Sequence, residues 1–247
     1  MQEFILDVPT DVVTLAEAVS WAQEKLNQSG SHFIASVNPE ICFSARRNSA
    51  LQKALLAADL KIPDGVGIVL ASRLCGGQIR ERVTGIDLME ELVALAAAEG
   101  KKIFLLGAAE GVAAAAAAKL KERYPPLLVA GTAHGYLPQA QDGELAGSIA
   151  ASGADLVFVA LGSPRQELFV AKYGAASGAK ILMVVGGSFD VLSGRLRRAP
   201  LLYQRLGLEW FFRLVQQPKR ILRVWIMPSF LAAVTQQRLF TGGRKHC

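Results

Sequence analysis

The sequence predicts an α/β fold: a Rossmann-like, mostly parallel sheet flanked by helices, with a C-terminal amphipathic helical appendage. Three observations predict it. Short buried-type apolar runs alternate with helical patterns from residue 101 onward, nearly every run ends in glycine plus a few polar groups, and the alternation stops after Pro200. Alternating strands and helices favour a parallel sheet with right-handed crossovers, and such sheets bind ligands at the carboxyl ends of their strands. On this reading residues 1–195 form the α/β body and residues 196–247 the appendage.

Taken in order, Phe4–Val8 reads as a first strand and Thr14–Gln28 as a helix with Leu15, Ala18, Val19, Ala22 and Leu26 on one face. Phe33–Val37 reads as a strand ending at Asn38-Pro39, and Glu40–Ala58 as helical. The stretch Leu60–Gly67 delivers one acid, Asp64, to a tight turn between proline and glycine, before a short helix to Arg73. An isolated Pro-Asp-Gly also suits an Asx turn or helix cap. Further on, Ile103–Leu106, Leu127–Ala130, Leu156–Leu161 and Ile181–Val185 are strands of buried type. The helices between them cover Val112–Arg123, Asp142–Ala151 and Pro164–Ala176, and the alanine run Ala113–Ala118 favours helix. Past Pro200, Leu206–Leu214 and Pro218–Arg238 read as two or three helices mixing aromatics, aliphatics and arginines.

The strand ends carry Ser36-Val37-Asn38, Asp64-Gly65, Gly107–Gly111, Gly131–Gly135, Gly162–Glu167 and Gly186–Asp190. Glycine with small polar groups suits a phosphate-bearing ligand approaching backbone N–H groups at helix starts. Neither G-x-G-x-x-G nor G-x-x-x-x-G-K-[ST] occurs, so dinucleotide and P-loop readings lose their main support.

Composition narrows the class. With 51% hydrophobic residues and 19% charged, the 247-residue chain can bury a sizeable core. Cys42, Cys75 and Cys247 are widely spaced and offer neither a metal-ligand pattern nor a disulfide framework, which suits a reducing cytoplasm. The first residues lack a basic segment followed by a long apolar core, so no signal peptide is expected. The apolar stretch Ile221–Val234 is shorter than the roughly 20 residues a bilayer span takes and is broken by Arg223 and Pro228. The net charge of +6 is unevenly placed: residues 195–247 hold eleven lysines or arginines against one acid, Glu209, while the rest carries 16 basic and 20 acidic residues. The tail therefore calls for a partner that the body does not. Its richness in Leu, Ile, Val and Phe points to a membrane surface rather than nucleic acid.

Five stretches in register resemble the TagA/WecG/CpsF glycosyltransferases: Pro63-Asp64-Gly65-x-Gly67; Glu81-Arg82-Val83-x-Gly85-x-Asp87-Leu88; Gly162-x-Pro164-x-Gln166-Glu167; Val185–Asp190 with Gly194 and Arg198-Ala199-Pro200; and Gly207-Leu208-Glu209-Trp210-x-x-Arg213 with Pro218-x-Arg220. The resemblance runs nearly end to end. It implies inverting transfer of N-acetylmannosamine from a UDP donor to undecaprenyl-diphosphate-linked N-acetylglucosamine, the first step of the wall teichoic acid linkage unit. Other relatives serve capsule or exopolysaccharide assembly, so the donor is alternatively the uronic acid or another UDP-hexose. The resemblance also implies no cofactor and no metal, self-association, and a cytoplasmic enzyme held peripherally on the inner membrane face by its tail. No D-x-D occurs, which agrees with a diphosphate not bridged by metal.

Inverting transfer needs a base for the acceptor hydroxyl and positive charge where the diphosphate leaves. Asp64 is the expected base and Arg82 the expected cation, its alternative being an ion pair with Glu81 or Asp87. Ser36 and Asn38 are expected at sugar groups, Asn38 being equally a helix cap, and Gln166 at sugar or diphosphate. Ser36 stands where relatives commonly have threonine, and Arg165 where lysine is usual, each keeping the chemical group. Gly107, Gly186 and Gly187 are expected nucleotide contacts, and Glu167 a structural bond at a helix start. His134 ranks below Asp64 as a base. Arg213, Arg220 and Arg223 are expected to meet lipid phosphates or to complete the site. A non-catalytic membrane-peripheral scaffold is the rival from another class.

Overall fold

The computed structural model describes residues 1–217 and 225–241. Two strands, β1 (Gln2–Ile5) and β2 (Val8–Asp11), form an antiparallel hairpin where a single strand was expected. Leu6 and Asp7 take positive φ values of 50° and 66°, the two-residue turn that matches strand twist, without the glycine or asparagine that would advertise it. Helix α1 (Leu15–Leu26) starts in a capping box between Thr14 and Glu17. Strand β3 (His32–Val37) leads to α2 (Pro39–Arg47) and α3 (Ser49–Ala57), which divide the expected Glu40–Ala58 helix at Asn48. Asn48 ends one helix and caps the next, its Oδ1 accepting from Leu51 N at 3.0 Å.

Strand β4 (Leu60–Pro63) and helix α4 (Val66–Leu74) flank Asp64 as anticipated. Helix α5 (Gly85–Glu99), capped by Thr84, was not anticipated as an element. It is apolar over much of its surface and buries Leu88, Met89, Leu92, Val93 and Ala96. Next come β5 (Lys102–Gly107), α6 (Val112–Arg123), β6 (Leu128–Ala133), α7 (Asp142–Ser152), β7 (Leu156–Ala160), α8 (Arg165–Tyr173), β8 (Ile181–Val184) and α9 (Ser188–Leu192). Three helices follow among the described residues: α10 (Leu201–Arg205), α11 (Glu209–Gln216) and α12 (Ile226–Thr241).

Strands β3 to β8 make one six-stranded parallel sheet in the order β4-β3-β8-β7-β5-β6. Side chains alternate across it. Phe33, Ala35, Val37, Phe104, Leu106, Val157, Val159, Leu182 and Val184 join one core, with residues of α2, α3, α4, α7 and α8. Ile34, Leu60, Ile62, Ile103, Leu105, Leu156, Phe158, Ile181 and Met183 join the other, with residues of α1, α5, α6 and α9. A period of two with both faces covered is why these strands read as continuous apolar runs.

The C-terminal helix does not stand apart from the body. Helix α12 packs on α2 and α4, and Phe230 and Val234 are fully buried in the first core. Its close approach depends on Gly67, where a Cβ would lie 2.6 Å from Pro39 Cγ and 3.0 Å from Met227 Sδ. Helices α10 and α11 differ, with Leu201, Leu202, Trp210, Phe211 and Val215 exposed, as is Leu206 between them. No helix among the described residues is long and apolar enough to cross a membrane. Cys42 is a buried free thiol, its ionisation pushed far upward by loss of water.

Candidate active site

The carboxyl ends of the six parallel strands open into a cleft of about 1160 Å³. That exceeds the several hundred Å³ of an ordinary small-molecule pocket and leaves room for two substrates side by side. Its lining comes from the ends of β3, β4, β7 and β8, the loops after β5 and β6, the start of α5, and tail residues between Arg195 and Gln217 together with Ile226 and Met227.

The β4 end is built residue by residue. Asp64 N donates to Val37 O at 2.8 Å, tying the Asp64 turn to the end of β3 beside Asn38. Gly65 then takes φ 101°, which only glycine adopts without strain, and α4 begins. Val83 N donates to Pro63 O at 3.0 Å, which pins the Arg82 segment beside the same turn. Asn38, Asp64 and Arg82 are thus gathered by backbone bonds between three separate stretches, and all line the cleft.

Each expected residue can be placed. Asn38 is a helix cap, its Oδ1 accepting from Ile41 N at 3.0 Å, and it lines the cleft as well, so the two readings are not exclusive. Ser36 lines the cleft next to the first turn of α5, where a Cβ on Gly85 would sit 3.2 Å from its Oγ. Arg82 pairs with Glu209 at the start of α11, rather than with Glu81 or Asp87. Glu81 instead accepts from Leu15 N at 3.0 Å, and Asp87 accepts from Arg198 and from Thr84. Gly186 and Gly187 line the cleft. Gly107 stands just behind it: a Cβ there would lie 2.4 Å from the Ala160 carbonyl, so glycine is required for the approach of β5 to β7, and Ala108 and Ala109 form the lining. His134 is outside the lining, its Nδ1 accepting from Tyr136 N at 3.3 Å. Arg213 belongs to α11, while Arg220 and Arg223 lie outside the described residues.

Gln166 and Glu167 open α8 at the cleft floor. Gln166 Nε2 donates to Glu167 Oε1 at 2.8 Å. Burial pushes the Glu167 carboxyl above its ordinary range, offset in part by hydrogen bonds from Gln166, from its own backbone N–H and from Ser163. Arg165 turns aside, donating to Asp142 Oδ1 and to Gly135 O, each at 2.8 Å.

Sequence reasoning allowed the tail to complete the site through Arg213, Arg220 and Arg223 but did not single out the tail residues that line it. Glu209, Trp210, Phe212 and Met227 line the cleft together with Arg195, Arg197 and Arg198. Gln216 holds this arrangement from α11, accepting from Arg197 N and donating to Arg197 O at 2.9 Å each. Arg198 bridges Asp87 and Glu90 of α5, the second at 3.6 Å. One signal was available: Glu209 is the only acid of the basic tail, and a single carboxylate among eleven cations has a partner to find.

Residues 4–244 match the Glycosyl transferase WecG/TagA/CpsF family. Among similar proteins is the N-acetylglucosaminyldiphosphoundecaprenol N-acetyl-beta-D-mannosaminyltransferase of Bacillus spizizenii (strain ATCC 23059 / NRRL B-14472 / W23). It is 40% identical over 209 residues, which cover 85% of this chain and 80% of that one. The protein of the same name from Bacillus subtilis (strain 168) is 35% identical over 237 residues, 95% of this chain and 91% of its own.

Proposed function

The chain belongs to the WecG/TagA/CpsF family of glycosyl transferases, and from that premise we propose that it moves N-acetylmannosamine from a UDP donor to undecaprenyl-diphosphate-linked N-acetylglucosamine. The relatives' names supply the sugar and the acceptor. The observation that carries the chemistry is the placement of Asp64 on the turn to which Arg82 is pinned, in a cleft large enough for donor and acceptor together.

In this reading Asp64 takes the proton of the acceptor hydroxyl as that oxygen attacks the anomeric carbon. The bond from that carbon to the diphosphate oxygen breaks, UDP departs with the electron pair, and the anomeric configuration inverts. Arg82 neutralises charge on the departing diphosphate with a planar pair of donors. It releases Glu209 to do so, since carboxylate and diphosphate compete for one guanidinium. Ser36, Asn38 and Gln166 hold the sugars, and Gly186 and Gly187 let the nucleotide approach the backbone where β8 ends.

The tail brings the enzyme to its lipid-linked acceptor. Exposed apolar residues on α10 and α11, next to the basic stretch of the chain, support attachment to an anionic membrane surface on the cytoplasmic side. Arg213, Arg220 and Arg223 are assigned to lipid or substrate phosphates, and the exposed apolar groups to self-association where membrane is absent. The unit from residue 196 onward serves attachment, and residues 1–195 the chemistry.

UDP release, measured with a panel of UDP-sugars and a short-chain lipid-diphosphate N-acetylglucosamine, tests this reading. Release is expected with UDP-N-acetylmannosamine only when both substrates are present, and unchanged in millimolar chelator. No release with both substrates would favour a non-catalytic scaffold, and loss in chelator would overturn the metal-free mechanism.

A further inference from the structure

The reaction proposed above brings two diphosphates into one cleft, the donor's and the acceptor's, and the arginines of that cleft fall into two sets. Arg82 faces Glu209, Arg165 faces Asp142, and Arg198 faces Asp87 and Glu90. Arg195 and Arg197 line the same cleft, are exposed, and pair with no acid among the described residues. Both fall between Gly194 and Arg198, outside the stretches that carry the family resemblance. Exposed arginines are common on any surface, and what sets this pair apart is how its backbone is held. Leu196 N donates to Asp190 O at 2.8 Å. Arg197 donates its N–H to the Gln216 side-chain oxygen and accepts at its carbonyl from the Gln216 side-chain nitrogen, both at 2.9 Å. A side-chain amide that satisfies both backbone groups of one residue does what a neighbouring strand does, and it fixes where Arg197 stands on the rim.

We propose that Arg195 and Arg197, positioned by Gln216, bind the diphosphate of the lipid-linked acceptor. This rests on the glycosyl transfer reading above and specifies where its second substrate sits. In that substrate the diphosphate is the link between sugar and lipid, so its site belongs where the cleft meets the surface that takes the lipid. Gln216 stands at that boundary. Its side chain reaches Arg197 on the rim of the cleft, while Val215 just before it and Phe211 one turn earlier on α11 are exposed. Two guanidiniums two residues apart offer planar sets of donors to two neighbouring phosphates.

The two diphosphates ask different things of their cations. Charge grows on the donor's diphosphate as the bond to the sugar breaks, so Arg82 acts in the transition state and its loss lowers kcat. The acceptor's diphosphate keeps its charge throughout. Cations on it bind ground state and transition state alike, and their loss raises KM for the acceptor while kcat holds.

The test is UDP release from UDP-N-acetylmannosamine with a short-chain, water-soluble lipid-diphosphate N-acetylglucosamine and no vesicles. It compares the wild type with the double variant Arg195→Gln, Arg197→Gln and with Gln216→Ala. The double variant should raise KM for the acceptor by about 10- to 100-fold, the effect of losing hydrogen bonds between charged groups, with KM for the donor and kcat near their wild-type values. Gln216→Ala should move the same constant in the same direction by a smaller factor. Arg197→Lys, which keeps the charge without the planar fork, should fall between the wild type and the double variant. An unchanged acceptor KM in the double variant, or a rise in donor KM instead, would overturn the proposal. So would an effect seen only with acceptor embedded in vesicles, which would place the arginines on lipid headgroups. Both arginines are exposed, so the melting temperature should hold; should the double variant not fold, Arg197→Lys decides through the same constant. Absence of turnover by the wild type would instead overturn the glycosyl transfer reading itself, a result distinct from turnover with an unmoved acceptor KM.

Discussion

The strand-end rim of the body and the helices α10 and α11 of the tail border one cleft but differ in what they expose. Along the rim, glycines and backbone bonds between strands bring polar side chains inward, with Asn38, Asp64 and Arg82 tied together through Val37 and Pro63. Along α10 and α11, Leu201, Leu202, Phe211 and Val215 point outward, where water gains nothing from them. A monomer that needed only a small soluble substrate would have use for the first surface and none for the second. The division points to chemistry on the body and delivery of a lipid-linked substrate by the tail, with the Arg82 pair to Glu209 linking the two.

The comparison can be broken from either side. The largest effect is expected from deleting residues 196 onward: vesicle binding and turnover should fall together. Thermal stability should fall too, because Phe230 and Val234 leave the core, and losing a buried Phe side chain alone costs about 3–5 kcal/mol. A fully active truncate would refute a role for the tail in the reaction. Next is Arg82→Ala, expected to lower kcat by about 10²-fold in the UDP-release assay while vesicle binding stays as in the wild type. A parallel loss of vesicle binding would erase the division between the regions.

A gentler change replaces Leu202, Phe211 and Val215 together by serine. These side chains are exposed, so the melting temperature should hold while partition onto anionic vesicles drops several-fold, read by flotation. The smallest effect concerns Glu167. Its carboxyl is raised above the ordinary 4.5 by burial, so it contributes stability below pH 4.5 that is lost as pH rises through its folded value. Glu167→Gln has no such loss, and its melting temperature relative to the wild type should climb between acid and neutral pH.

Much of the body was legible because its signals are local. Buried parallel strands are short apolar runs, and β5, β7, β8 and α6 fall within a residue or two of where the runs and the alanine tract place them. Elements without a distinctive period were harder to see. The Leu6–Asp7 turn carries neither glycine nor asparagine, Asn48 splits a stretch that is helical on both sides of it, and α5 shows little contrast between its faces. In the site, Asp64 was visible as a single acid between proline and glycines. The partner of Arg82 was not, since Glu209 lies 127 residues away and only docking of the tail brings it near. Likewise, Gln166 and Glu167 stand in a recognisable motif, but nothing in a motif tells which of their oxygens lack donors.

The central claim is that one carboxylate on the body performs the chemistry while attachment resides elsewhere. Asp64→Asn keeps the shape of the turn and removes the base, so it tests that claim most directly, by UDP release and vesicle flotation on the same preparation. Transfer should be abolished, with flotation indistinguishable from the wild type. Near-normal turnover in Asp64→Asn would contradict the account and require a base elsewhere in the cleft.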